Sequence, residues 1–167
     1  MLTKNGAYNI MKNMVCRQQS DSTFEMKNLA GDNIGITGYA AFSWDRFQQG
    51  SSAGMKLIVG VGNTPPTYDD YCLDETEIGG VDIDTLISTS NGTITVDNMG
   101  QYNITATFTN MSSQTIDIEE IGLVAYGSGS TMTNTWVLMA RSVIPKKTLQ
   151  PGDNVTITYT VSPINLA

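Results

Sequence analysis

From residue 23 onward, apolar and polar positions alternate with a period of two. Met55, Leu57, Val59 and Val61 fall on one face of a strand, and Thr93-Ile94-Thr95-Val96 alternates cleanly. Ile104, Ala106 and Phe108 point one way while Asn103, Thr105, Thr107 and Thr109 point the other. Val155, Ile157, Tyr159 and Val161 are interleaved with Thr156, Thr158 and Thr160. Such alternation predicts strands with one buried and one polar face, as in antiparallel sheets. Segments 34–43, 55–61, 81–88, 92–97, 102–109, 115–126, 135–144 and 154–161 are the predicted strands. About eight short strands, separated by Gly, Asn and Ser turns, predict an all-β fold. We take it as a single antiparallel β-sandwich, immunoglobulin-like or jelly-roll-like in topology.

Residues 3–15 follow a different period. Ala7, Ile10, Met11, Met14 and Val15 recur at helical spacing and give one apolar face. Two readings fit: a short helix packed on its own domain, or an arm docking on a neighbouring subunit. The chain thus divides into an N-terminal arm or short helix, 1–22, and a β-sandwich domain, 23–167. Asn110-Met111-Ser112-Ser113-Gln114 and Pro151-Gly152-Asp153 read as turns.

Two strands depart from simple alternation. Ile116 and Ile118 share a face, but the pattern resumes at Ile121, Leu123 and Ala125. The parity flips across Glu119-Glu120, as one extra residue in a β-bulge would produce. The alternative is a bend at which both glutamates face solvent. Over 135–144, Trp136, Leu138 and Ala140 oppose Val137, Met139 and Val143, so both faces are apolar. That pattern fits a central strand, or one whose outer face is covered by another element or subunit.

Composition narrows the function. Of 167 residues, 40% are hydrophobic and only 15% charged, so the polar positions are mostly neutral Ser, Thr and Asn. The net charge of −7, with scattered Lys and Arg, offers no footprint for nucleic acid or an anionic membrane. The chain contains no His, which removes the commonest general base and metal ligand. Cys16 and Cys72 could form one disulfide, but their spacing fits neither a zinc motif nor a redox CxxC, and they read as two free, partly buried thiols. No apolar run is long enough for a membrane span, and the N-terminus lacks the apolar stretch of a signal peptide. These features predict a product that stays in the cytoplasm or leaves without the standard export route. The Asn-x-Ser/Thr matches at Asn91, Asn103, Asn110 and Asn154 read as chance in so Asn- and Thr-rich a chain.

The segment Gly60-Val61-Gly62-Asn63-Thr64-Pro65-Pro66-Thr67-Tyr68-Asp69-Asp70-Tyr71 stands out. Its glycines permit close backbone approach or positive φ, and its prolines fix a stiff, donor-poor crossing of the surface. A phosphate cradle is disfavoured, because no third glycine and no helix follow. Asp69, Asp70, Asp74, Glu75, Glu77, Asp82 and Asp84 form an acidic stretch without EF-hand spacing, and it reads as a solvated acidic loop rather than a Ca²⁺ site. On a regular strand Glu119 and Glu120 face opposite ways, so they are not a glycosidase pair. No Gly-x-Ser-x-Gly elbow is present. No cofactor, metal or catalytic residue is expected. The candidates for an assembly interface are Ile10, Met11, Met14, Pro65, Pro66, Tyr68, Tyr71 and Trp136.

Three blocks carry a family resemblance. They are the run from Val59 to Leu73, the run Ala106-Thr107-Phe108-Thr109-Asn110 continued to Leu123, and Leu138-Met139-Ala140-Arg141-Ser142-Val143-Ile144 with its sequel Leu149-Gln150-Pro151-Gly152-Asp153 and Thr156 to Val161. Together with the opening Met1-Leu2-Thr3-Lys4-Asn5-Gly6, this set resembles small β-sandwich structural proteins of tailed bacteriophages and prophages. The resemblance implies a virion building block without catalysis. The leading expectation is a capsid decoration or auxiliary protein, of head-fibre type in some relatives, that binds the major capsid protein or other virion proteins. It would be a homo-oligomer in the particle, assembled in the bacterial cytoplasm, with no nucleic-acid or membrane partner. The alternative is a tail, baseplate or fibre component contacting a host receptor or glycan.

Overall fold

The computed structural model describes residues 1–3, 5, 6, 25–35, 55–90, 93–96, 102–127 and 135–161. The strands are β1 (Glu25–Lys27), β2 (Asn33–Gly35), β3 (Met55–Gly60), β4 (Glu77–Ile78) and β5 (Val81–Asp82). A one-turn helix, α1 (Ile83–Leu86), separates these from β6 (Ile87–Thr89), β7 (Thr93–Val96), β8 (Tyr102–Asn110), β9 (Ile116–Gly127), β10 (Thr135–Leu149) and β11 (Asn154–Val161). The fold is all-β, as the alternation predicts, and every pairing between these strands is antiparallel.

Two sheets form the sandwich. The first has the order β10-β9-β3, and the second β11-β8-β6, with β7 pairing β8 further along the same flank as β6. The alternating residues supply the layer between them. Leu57 and Val59 from β3, and Ile116, Ile118, Ile121 and Leu123 from β9, pack in one cluster with Ile104, Ala106 and Phe108 from β8. Each of the Val, Leu, Ile and Phe side chains among them contributes about 1.5–3 kcal/mol on removal from water. The chain passes between sheets at the turn after β8. There the buried Asn110 amide donates to the carbonyls of Gln114 (2.8 Å) and Leu149 (3.0 Å), and its oxygen accepts from the Ser112 amide (2.9 Å). The Gly152 amide donates to the Asn110 carbonyl (2.9 Å), tying in the turn before β11. Gly152 has φ 84°, a conformation that favours glycine.

Several sequence expectations change. Segment 81–88 is not one strand but β5, α1 and the start of β6. The Asp82 carboxylate accepts from the Asp84 amide (2.9 Å) and caps a helical turn that buries Ile83 and Ile87 four residues apart. The strand predicted at 135–144 runs on to Leu149 through Pro145, and β1 was not predicted as a separate strand. Of segment 34–43, only residues 34 and 35 are described, at the end of β2. At the N-terminus, Leu2 forms an antiparallel bridge with Ala140, and the Thr3 amide donates to the Met139 carbonyl (3.1 Å), so this segment lies along β10. Ile10, Met11 and Met14, with the rest of the proposed helix or arm beyond Gly6, lie outside the described residues, as does Cys16.

Candidate functional site

The most elaborate chemistry lies on the outer face of the first sheet, and two register breaks put it there. Leu138 pairs with Val124, but Ala140 pairs with Leu123, so Met139 is an extra residue in β10. The bulge resets parity. Val137, Met139 and Ala140 join the inter-sheet core, while Leu138 and, directly after Ala140, Arg141 lie on the outer face. The second break falls where the sequence parity flips. Ile118 pairs with Lys147 and Glu120 with Val143, so Glu119 stands opposite Ile144, Pro145 and Lys146. Pro145, which has no N–H to give a ladder, sits within this bulge. Beyond it Ile121 and Leu123 return to the core while Glu120 faces outward.

Outward here does not mean into solvent. Glu120 has no exposed surface and Arg141 is 2% exposed. The parity flip is a bulge, as one of the two sequence readings has it, and the alternative of a bend with both glutamates in water fails for Glu120. Residues 61–76 cross over this face as a strap. Leu73 from the strap packs with Ile58, Val124 and Leu138 into a second, smaller core, against which Leu29 and Trp136 also rest. This accounts for the two apolar faces of 135–144.

The Glu120 carboxylate organises the strap. Its Oε1 accepts from the amides of Glu75 (2.9 Å) and Gly62 (3.3 Å), and its Oε2 from the Asp74 amide (3.0 Å). Arg141 Nε donates to the same Oε2 (2.7 Å). Arg141 Nη1 donates to Asp70 Oδ2 (2.8 Å), and Nη2 to the Thr64 carbonyl (3.1 Å). Asp70 also accepts from the Thr67 amide (2.8 Å) and hydroxyl (2.6 Å), which closes the turn between them. One buried arginine thus ties two points of the strap to β9, and the desolvation cost of its charge is offset by donor-matched partners.

The titration of these groups follows the geometry. Burial pushes the Asp70 carboxyl up, but bonds from Thr67 and the Arg141 guanidinium outweigh it and hold Asp70 below the ordinary carboxylate value. Burial likewise works against the Arg141 charge, yet Asp70 and Glu120 raise its pKa above the ordinary value. Asp70 is therefore not part of a solvated acidic loop. Among the described residues, no cluster of Asp, Glu, Cys or His is arranged to hold a metal ion.

Gly60 and Gly62 are required by close approach, not by positive φ. A Cβ on Gly60 would lie 2.5 Å from Glu120 Oε1 and 2.6 Å from the Glu75 carbonyl. On Gly62 it would lie 2.6 Å from the Asp74 Cβ and 2.8 Å from Glu120 Oε1. No side chain fits between the carboxylate and the backbone it holds.

The interface candidates are distributed over this surface. Pro65 is exposed, Pro66 half-buried and Tyr68 53% exposed on the strap. Tyr71 is half-buried, with Lys27 Nζ 5.1 Å from its ring centroid, and a Cβ on Gly31 would lie 3.1 Å from that ring. Trp136 is half-buried, its ring 5.0 Å from that of Tyr126 and with Lys56 Nζ 4.9 Å away. The Leu29 amide donates to the Trp136 carbonyl (3.3 Å), so the β1–β2 hairpin reaches both aromatics. Among the described residues Cys72 forms no disulfide, and burial pushes its thiol up. Glu120 and Arg141 were not singled out as site residues from sequence. The signal was one arginine inside an apolar strand, together with an acidic residue at a parity flip. No family model, curated protein or solved structure matches the chain.

Proposed function

We propose that the chain is a non-catalytic structural protein of a tailed-bacteriophage virion, acting as a capsid decoration protein that docks on the major capsid protein. One observation carries the reading beyond the sequence resemblance. The strap turns the Asp70 carboxylate inward onto Arg141 and three backbone amides onto Glu120, and turns Pro65 and Tyr68 outward. A segment stiffened by prolines and anchored at several points loses little entropy on binding, and an exposed Tyr is a favoured anchor of protein interfaces. Groups held in this way bind and brace.

Purified protein mixed with expanded empty capsids is expected to bind at defined lattice positions. Tyr68→Ala is expected to weaken binding by about tenfold or more while leaving the melting transition in place. Recovery of the protein on isolated tails alone, with no capsid binding, overturns the decoration role in favour of a tail or baseplate one.

A further inference from the structure

The edges of the two sheets are unequally protected. β10 is flanked by Met1–Thr3 and is broken by two bulges. β3 is six residues long and carries Lys56. The flank of β8 opposite β11 is divided between β6 and β7, of three and four residues. β11 differs from all of these. Its eight residues, Asn154–Val161, pair with β8 in unbroken register and, among the described residues, on one side only. They include no Lys, Arg, Asp, Glu or Pro. Charges, prolines and bulges are the usual devices that keep an edge strand from pairing with another chain, and β11 has none of them.

Its inner side chains are also incompletely covered. On β8, Ile104, Ala106 and Phe108 are 3% exposed or less, whereas Val155, Ile157 and Tyr159 on β11 are only partly buried. One more strand alongside would complete their burial.

We infer that β11 is a self-pairing edge at which a second copy of this chain adds its own β11, antiparallel, across a twofold axis. Charge selects this occupant. The chain carries −7 overall, so two copies repel wherever acidic surfaces meet, and a neutral edge is where they approach without like charges facing each other. The pleat then limits the register. Val155, Ile157 and Tyr159 face inward while Thr156, Thr158 and Thr160 face outward. Directly opposed residues in an antiparallel pair share a face, so the axis passes beside a residue rather than between two. Near the middle of the strand, that residue is Ile157 or Thr158. The contact is isologous and closes at two copies, whereas an open edge would propagate. It is also small against the ~1,600 Å² of a standard stable interface, so the free protein dimerises weakly. Copies held side by side would pair more strongly through effective concentration.

The test uses the purified full chain and does not depend on a virion role. Sedimentation equilibrium from micromolar to millimolar protein is expected to show a monomer–dimer equilibrium. In Thr156→Lys/Thr158→Lys, lysines oppose each other in either allowed register, and association should weaken about tenfold or more. Thr156→Glu/Thr158→Glu should behave alike, and mixing the Lys and Glu variants should restore a heterodimer. Melting transitions confirm that each variant folds. Monomer at every concentration, or a dimer indifferent to both variants and to mixing, overturns the inference.

Discussion

The two sheets of this sandwich solve the same packing problem with opposite chemistry. The second sheet, β6, β7, β8 and β11, contains no charged residue, and its β8–β11 ladder runs without a break. Its outer face is a lattice of hydroxyls, in which Thr105 meets Thr158 at 2.9 Å and Thr107 meets Thr156 at 2.9 Å. The first sheet has two bulges, a buried ion pair and a strap over its outer face. Regular alternation builds a sheet whose outer face stays in water. Covering that face with irregular chain requires the backbone groups of the covering segment to find partners. In this protein one carboxylate, Glu120, provides them for three amides.

If that contrast is right, mutations in the first sheet should be felt through the strap and mutations in the second should not. The largest effect is expected for Arg141→Met, which leaves the Glu120 carboxylate buried without its cation. The cost is about 3–5 kcal/mol, lowering Tm by on the order of 10 °C, as calorimetry would record. Gly62→Ala comes next. Its Cβ has no room beside Asp74 and Glu120, and overpacking of this kind costs about 1–3 kcal/mol. Protease should then cut within 61–76 before the rest of the fold opens.

Asp70→Asn should show its effect through pH. The Asp70 carboxyl lies below its unfolded value of about 3.9. The stabilisation from its charge is therefore complete above that value and is lost as pH falls through the lower, folded one. The Tm gap between wild type and variant should be full at pH 7 and close below about pH 4. The smallest effect is expected in the second sheet. Thr158→Ala removes one outward hydroxyl pair with Thr105 and should cost about 0.2–1 kcal/mol, with no change in strap proteolysis.

The two sheets were also unequally legible in the sequence. Phe108, Ile104 and Ile157 declared their faces because β8 and β11 alternate without a fault, and a period of two needs only local information. The parity flip at Glu119-Glu120 was equally visible, but its consequence was not. Whether a displaced carboxylate meets water or an arginine depends on a residue twenty-one positions on, brought alongside by pairing. The bulge at Met139 that turns Arg141 outward left no trace in the hydropathy pattern, since Met139 and Ala140 are both apolar. Segment 81–88 misled for a related reason: Ile83 and Ile87 suit a strand and a helical turn alike, and the Asp82 cap decides between them. Gly60 at the end of β3 and Gly62 in the strap allowed close approach or positive φ, but gave no sign that Glu120 would be the group approached.

Amide hydrogen exchange in wild type and Glu120→Gln, followed residue by residue, tests the role of Glu120 as the anchor of the strap. A neutral amide of similar size still fills the space but accepts more weakly, and it presents a donor to backbone donors. Protection at the Gly62, Asp74 and Glu75 amides is expected to fall at least tenfold, while the β8 and β11 amides keep theirs. Unchanged protection at those three amides, or an equal loss across both sheets, would contradict that role.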